Sequence, residues 1–158
     1  LRIDDAEKRA HWPDLKENIK KTFYSLEDLI QKVKDNGDTD NLNMEKIQAK
    51  LEEYRETIDK LITQEPNDKV KRAKELLGEM GSSRTIILIF LIPENFIKSF
   101  DKQFDQIHWM DANKARTLIN SGLSLSQSGA NNEKIAEIVF SIYNEMKDPS
   151  DFNTGTLG

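Results

Sequence analysis

Thr85-Ile86-Ile87-Leu88-Ile89-Phe90-Leu91-Ile92 decides the fold. Its β-branched residues suit a buried strand. No other stretch in the chain reads as a strand, and one strand cannot form a sheet. The run therefore reads as a buried helix, and Pro93 kinks it or opens the next helix. Seven consecutive apolar residues, Ile86 to Ile92, are far short of the ~20 needed to span a bilayer as helix.

Working outward, both flanks show helical spacing. Upstream, Val70, Ala73, Leu76 or Leu77 and Met80 form a stripe that Gly81-Ser82-Ser83 interrupts. Downstream, Phe96 or Ile97, Phe100, Phe104 and Ile107 continue at steps of three and four. Asp111 is a suitable N-cap for a helix carrying Ala115, Leu118 or Ile119, Gly122 and Leu125, which Ser128-Gly129 stops. A last helix from about Asn131 to Lys147 presents Ile135, Ile138 or Val139, Ile142 and Met146.

The N-terminal half carries two longer stripes. Leu15, Ile19, Thr22 or Phe23, Leu26, Leu29 or Ile30, and Val33 form the first, ended by Asp35-Asn36-Gly37-Asp38 with Gly37 as a left-handed cap. Met44, Ile47, Leu51, Tyr54, Ile58 and Leu61 form the second, a heptad seam. Together they predict an antiparallel hairpin whose apolar seams are too thin to stand without a third helix. His11-Trp12-Pro13-Asp14 reads as a break ahead of it, because proline disfavours helix at the preceding residue. The expected fold is all-α, about six helices, with a charged hairpin over 1–81, a helical bundle over 82–148 and a disordered tail over 149–158.

Charge follows the same division. The first 80 residues carry 35 charged side chains and the remaining 78 carry 16, so the first half reads as exposed helices and the second as a packed unit. The net charge of −5 argues against nonspecific binding to nucleic acid or an anionic membrane. The chain has no cysteine, hence no disulfide, thiol nucleophile or Cys metal site. That composition suits a reducing, cytoplasmic compartment.

Catalytic patterns are missing. There is no Gly-x-Ser-x-Gly, no phosphate-binding glycine loop and no His-Glu-x-x-His. The acidic stretch from Asp38 has Asn43 and Ala49 where a calcium loop needs Gly and Glu. The two histidines, His11 and His108, each precede a tryptophan and read as surface neighbours of packed Trp12 and Trp109. The segment is expected to be non-catalytic, without metal or cofactor. Trp12 and Pro13 at one break and Gly81 at the other are candidate hinges. Tyr24, off the apolar stripe, and the two tryptophans are candidate partner contacts, since such aromatics anchor interfaces.

Phe100-Asp101-Lys102-Gln103-Phe104, then His108-Trp109-Met110-Asp111, then Ala115-Arg116-Thr117-Leu118-Ile119 resembles the distal helical region of bacterial DnaK-like heat-shock chaperones. Ile3-Asp4-Asp5-Ala6-Glu7-Lys8-Arg9-Ala10 is similar, more loosely, to their first lid helix, and the hairpin to the rest of the lid. The resemblance implies a lid that covers a β-sandwich substrate-binding domain outside this chain. It further implies a role in protein folding and the stress response, unfolded clients and co-chaperones as partners, and ATP bound only in an N-terminal domain also outside the chain. The tail Gly155-Thr156-Leu157-Gly158 departs from the acidic co-chaperone motif of eukaryotic cytosolic members. The alternative reading is a helical scaffold or dimerisation module that associates through the Met44–Leu61 seam.

Overall fold

A computed structural model describes residues 2–36, 42–63 and 69–157. The fold is all-α. Six α-helices follow in order: α1 (Arg2–Asn36), α2 (Met44–Ile62), α3 (Val70–Leu91), α4 (Pro93–Gln103), α5 (Ala112–Gln127) and α6 (Asn132–Asn144). Single 3-10 turns lie at Phe104–Gln106, Pro149–Asp151 and Thr154–Thr156. The described residues include no strand, only an isolated bridge between Trp109 and Met146. The Gly37 cap and Pro66 lie outside the described residues. The chain divides into two units, Leu1–Ile86 and Ile87–Gly158.

In the first unit, α1 and α2 run antiparallel. Lys34 shares a groove with Gln48, and Lys20 shares one with Ile62. Trp12, Ile19, Phe23, Leu26, Ile30 and Val33 of α1 are buried, as are Leu51, Tyr54, Ile58 and Leu61 of α2. The third helix that the thin seams require is the first part of α3, which buries Ala73, Leu76 and Met80 completely. The Tyr54 hydroxyl ties α2 to it, 2.8 Å from Ser83 Oγ and donating to the Glu79 carbonyl at 3.3 Å.

Two expected breaks are absent. α1 continues through Pro13 although an interior proline costs about 3 kcal/mol. Trp12 lies two turns ahead of Ile19, in phase with the buried stripe, and a break would take it out of that register. α3 likewise continues through Gly81-Ser82-Ser83. There Ser83 is engaged by Tyr54, and Thr85 Oγ1 donates back to the Gly81 carbonyl at 3.0 Å. The unit boundary consequently falls at 86/87, within a continuous helix, rather than at 81/82.

The run from Thr85 to Leu91 is helix, crossing the unit boundary, and in the second unit Pro93 occupies the first position of α4. Ile89, Phe96, Ile97, Phe100, Ala115, Ile119, Ile135, Ala136, Val139 and Ile142 form its core. Gly122 permits the close packing of α4 on α5: a Cβ placed there would stand 2.6 Å from Ile97 Cδ1. Asp111 and Asn131 cap α5 and α6 through the amides of Lys114 and Lys134. Met110 N donates to the Glu145 carbonyl and Lys147 N to the His108 carbonyl, joining the start of α5 to the end of α6.

Within the expected disordered tail over 149–158, the described residues 149–157 are folded. Phe152 and Leu157 are each 5% exposed and belong to the core of the second unit. They are the apolar side chains of an otherwise polar segment, and burying them opposes the chain entropy that composition alone predicts would win.

Candidate interaction surface

Tyr24 is the one candidate contact residue that the structure leaves fully presented. It is 62% exposed, its ring 6.2 Å from that of Phe23. Its position follows from helical phase: Phe23 and Leu26 take the buried stripe, and Tyr24 falls on the outer edge. Shallow grooves of about 340 and 510 Å³ flank it along the α1/α2 seam. Between them, Arg55 Nη2 donates to Glu27 Oε2 at 2.6 Å, a second donor pairs with Glu52, and the guanidinium lies 5.6 Å over the Phe23 ring. The hydrogen bond to Glu27, with the charge of Glu52 beside it, raises the Arg55 pKa. This surface offers a flat aromatic ring, a fixed cation and exposed carboxylates.

The other candidates are differently placed. Trp12 is buried in the first unit and Pro13 lies on the exposed side of α1. Gly81 is half-buried inside α3. The helical breaks on which the hinge expectation rested are thus absent at both positions. Trp109 is 9% exposed. Its indole donates to the Phe104 carbonyl at 3.1 Å and stacks on the Phe104 ring at 5.3 Å. Arg116, 2.6 Å from Asp101, lies 4.1 Å over that same ring. Trp109 is therefore a packing anchor at the start of α5, with His108 beside it 79% exposed at the side chain.

A cleft of about 460 Å³ in the first unit is lined by Glu7, His11, Asp14, Leu15 and Asn18 of α1 and by Val70 and Lys74 of α3. Among the described residues, no group of three or more His, Asp or Glu is placed to hold a metal ion.

Sequence reasoning missed two features. Met110 is 63% exposed beside the buried Trp109, and Ile86 is 48% exposed. His108 and Asp151, 43 residues apart, form a pair. Asp151 accepts from the His108 ring and backbone nitrogens, and those bonds lower its pKa. The Asp148-Pro149 turn was the available signal that the chain folds back there.

No protein family, curated protein or solved structure matches this chain. No described helix is by itself long and apolar enough to cross a membrane.

Proposed function

We propose that this chain is the helical lid and C-terminal extension of a DnaK-like chaperone, covering a β-sandwich that grips extended apolar segments of unfolded clients. The observation that carries the reading is the run Phe100–Leu123, with its phenylalanine-rich helix, Trp-Asp helix start and Ala-Arg-x-Leu-Ile helix. In this role the chain itself is non-catalytic. ATP binds in a separate N-terminal domain and shifts the lid between open and closed populations. A compact three-helix unit with its own buried core suits a part that moves as a body, and Tyr24 and the flanking Arg55 are the contacts it would offer to client or co-chaperone.

The scaffold alternative would use the Met44–Leu61 seam, of which Leu51, Tyr54, Ile58 and Leu61 are between 2% and 6% exposed within a single chain while Met44 and Ile47 are half-buried. That burial favours the lid reading over association through the seam.

The reading requires a β-sandwich encoded immediately upstream of Leu1. With that longer polypeptide, release of a labelled extended apolar peptide is timed with and without residues 1–158. A lid slows release, so its deletion accelerates it. Unchanged release, or an initiator methionine directly before Leu1, refutes the proposal.

A further inference from the structure

Beyond Lys147 the described chain makes no backbone–backbone hydrogen bond to the helices. Its own bonds of that kind are local, Asp151 N to Asp148 O, Phe152 N to Pro149 O and Leu157 N to Thr154 O. What joins it to α4–α6 is a set of side-chain contacts. The Phe152 ring sits 4.4 Å from Phe100, 6.2 Å from Phe96 and 6.0 Å from Tyr143. Leu157 supplies a second apolar pin.

Around these pins lie clasps made by polar side chains. Gln103 pairs with the Asn153 backbone in both directions, Nε2 donating to the carbonyl at 3.0 Å and Oε1 accepting from the amide at 2.8 Å. Asn95 donates to the Leu157 carbonyl at 3.3 Å, and Asp151 accepts from His108. All but the Asn95 bond lie at the exposed surface, where water replaces a lost partner at small cost. The helices keep their own hydrogen bonds whether or not the segment is attached. Few pins, water-exchangeable clasps and local bonding are the properties of an element that opens below the global unfolding free energy.

We propose that residues 148–157 form a releasable strap that closes an aromatic slot lined by Phe96, Phe100 and Tyr143, opening as a unit while α4–α6 stay folded. The inference is independent of the lid reading, since every contact in it lies within the second unit. It makes the slot a site whose resident occupant is the chain's own Phe152.

Amide hydrogen exchange of the full chain in rising sub-denaturing urea tests the strap. The amides of Phe152, Asn153 and Leu157 exchange through an opening with weaker urea dependence than those of Ile119 and Val139. If both sets follow one isotherm with one slope, the strap belongs to the cooperative core and the proposal fails. Phe152→Ala removes the main pin. Strap amides then exchange about 100-fold faster or more while the far-ultraviolet helical signal is retained. The Tyr143 phenol, which burial pushes up to about 12, returns toward its ordinary value as the slot is bared. A variant that loses its helical signal, or one in which Tyr143 titrates unchanged, overturns it.

Discussion

Replacing Gly122 by alanine tests how closely α4 and α5 approach. In an exposed helix interior, glycine to alanine stabilises by about 1 kcal/mol, because glycine loses more backbone entropy on folding. At Gly122 the added Cβ would stand 2.6 Å from Ile97 Cδ1, 3.0 Å from Cγ1 and 3.1 Å from Cγ2. Rotating the terminal methyl relieves only the first contact, and Ile97 is fully buried. Overpacking of this kind costs about 1–3 kcal/mol. After the gain in helix propensity, the expected net loss is about 0–2 kcal/mol in the second unit, or up to roughly 15 °C in its midpoint for a domain of this size. Thermal unfolding followed by Trp109 fluorescence, in a Trp12→Phe background, reads that unit alone. Ile97→Val in the Gly122→Ala chain recovers part of the loss although the same change alone costs about 0.5–1.5 kcal/mol. An alanine chain more stable than its parent by the full ~1 kcal/mol of helix propensity would refute the close approach.

The same substitution at Gly78 has the opposite sign. Nothing lies within 4 Å of a Cβ there, so Gly78→Ala raises the first unit's stability by about 1 kcal/mol, measured by urea unfolding with Trp12 as probe. Tyr54→Phe removes the bonds to Ser83 and the Glu79 carbonyl and lowers the same unit's stability by about 1 kcal/mol; no loss would mean α3 is not docked on α2 there. Tyr143 titrates near 12 because burial disfavours the phenolate, whereas the unfolded chain ionises near 10. Its stabilising contribution is therefore complete below pH 10 and declines as pH rises from about 10 through about 12. Tyr143→Phe removes that decline, and identical alkaline unfolding profiles for the two chains would contradict the assignment.

The helices were legible because their buried positions recur in phase. Leu26, Ile30 and Val33, or Leu51, Tyr54, Ile58 and Leu61, need only the 3.6-residue period to be identified. The caps Asn43, Asp111 and Asn131 are equally local, each accepting from an amide three residues on. The His-Trp pairs were legible for the same reason of chemistry: in each the indole is buried and the imidazole faces water. Phe152 and Leu157 were not, since the residues around them are polar and the partners of Phe152, Phe96 and Phe100, lie some fifty residues away. The Tyr24 surface was legible as exposure and no further, because helical phase says which residue faces out and nothing about what meets it.

The two prolines show where local rules run out. Trp12-Pro13 and Ile92-Pro93 present the same steric problem to the preceding residue. Each sits within an in-phase seven-residue interval between buried side chains, Trp12 to Ile19 and Ile89 to Phe96. Yet α1 continues through Pro13, while Ile92 leaves the helix at φ −134° and α4 begins anew. At Pro13 the carbonyl deprived of its partner belongs to Arg9, an exposed residue open to solvent, and helix continuity is retained. At Pro93 the chain end of α3 is caught from elsewhere: Asn132, at the start of α6, donates to the Leu91 carbonyl at 3.1 Å. A helix end that is satisfied by a side chain 41 residues distant can stop without leaving that carbonyl orphaned, and α4 is then free to turn Phe96, Ile97 and Phe100 into the core. The Leu91 carbonyl thus finds its partner on α6, 41 residues away, which no rule local to Pro93 could supply.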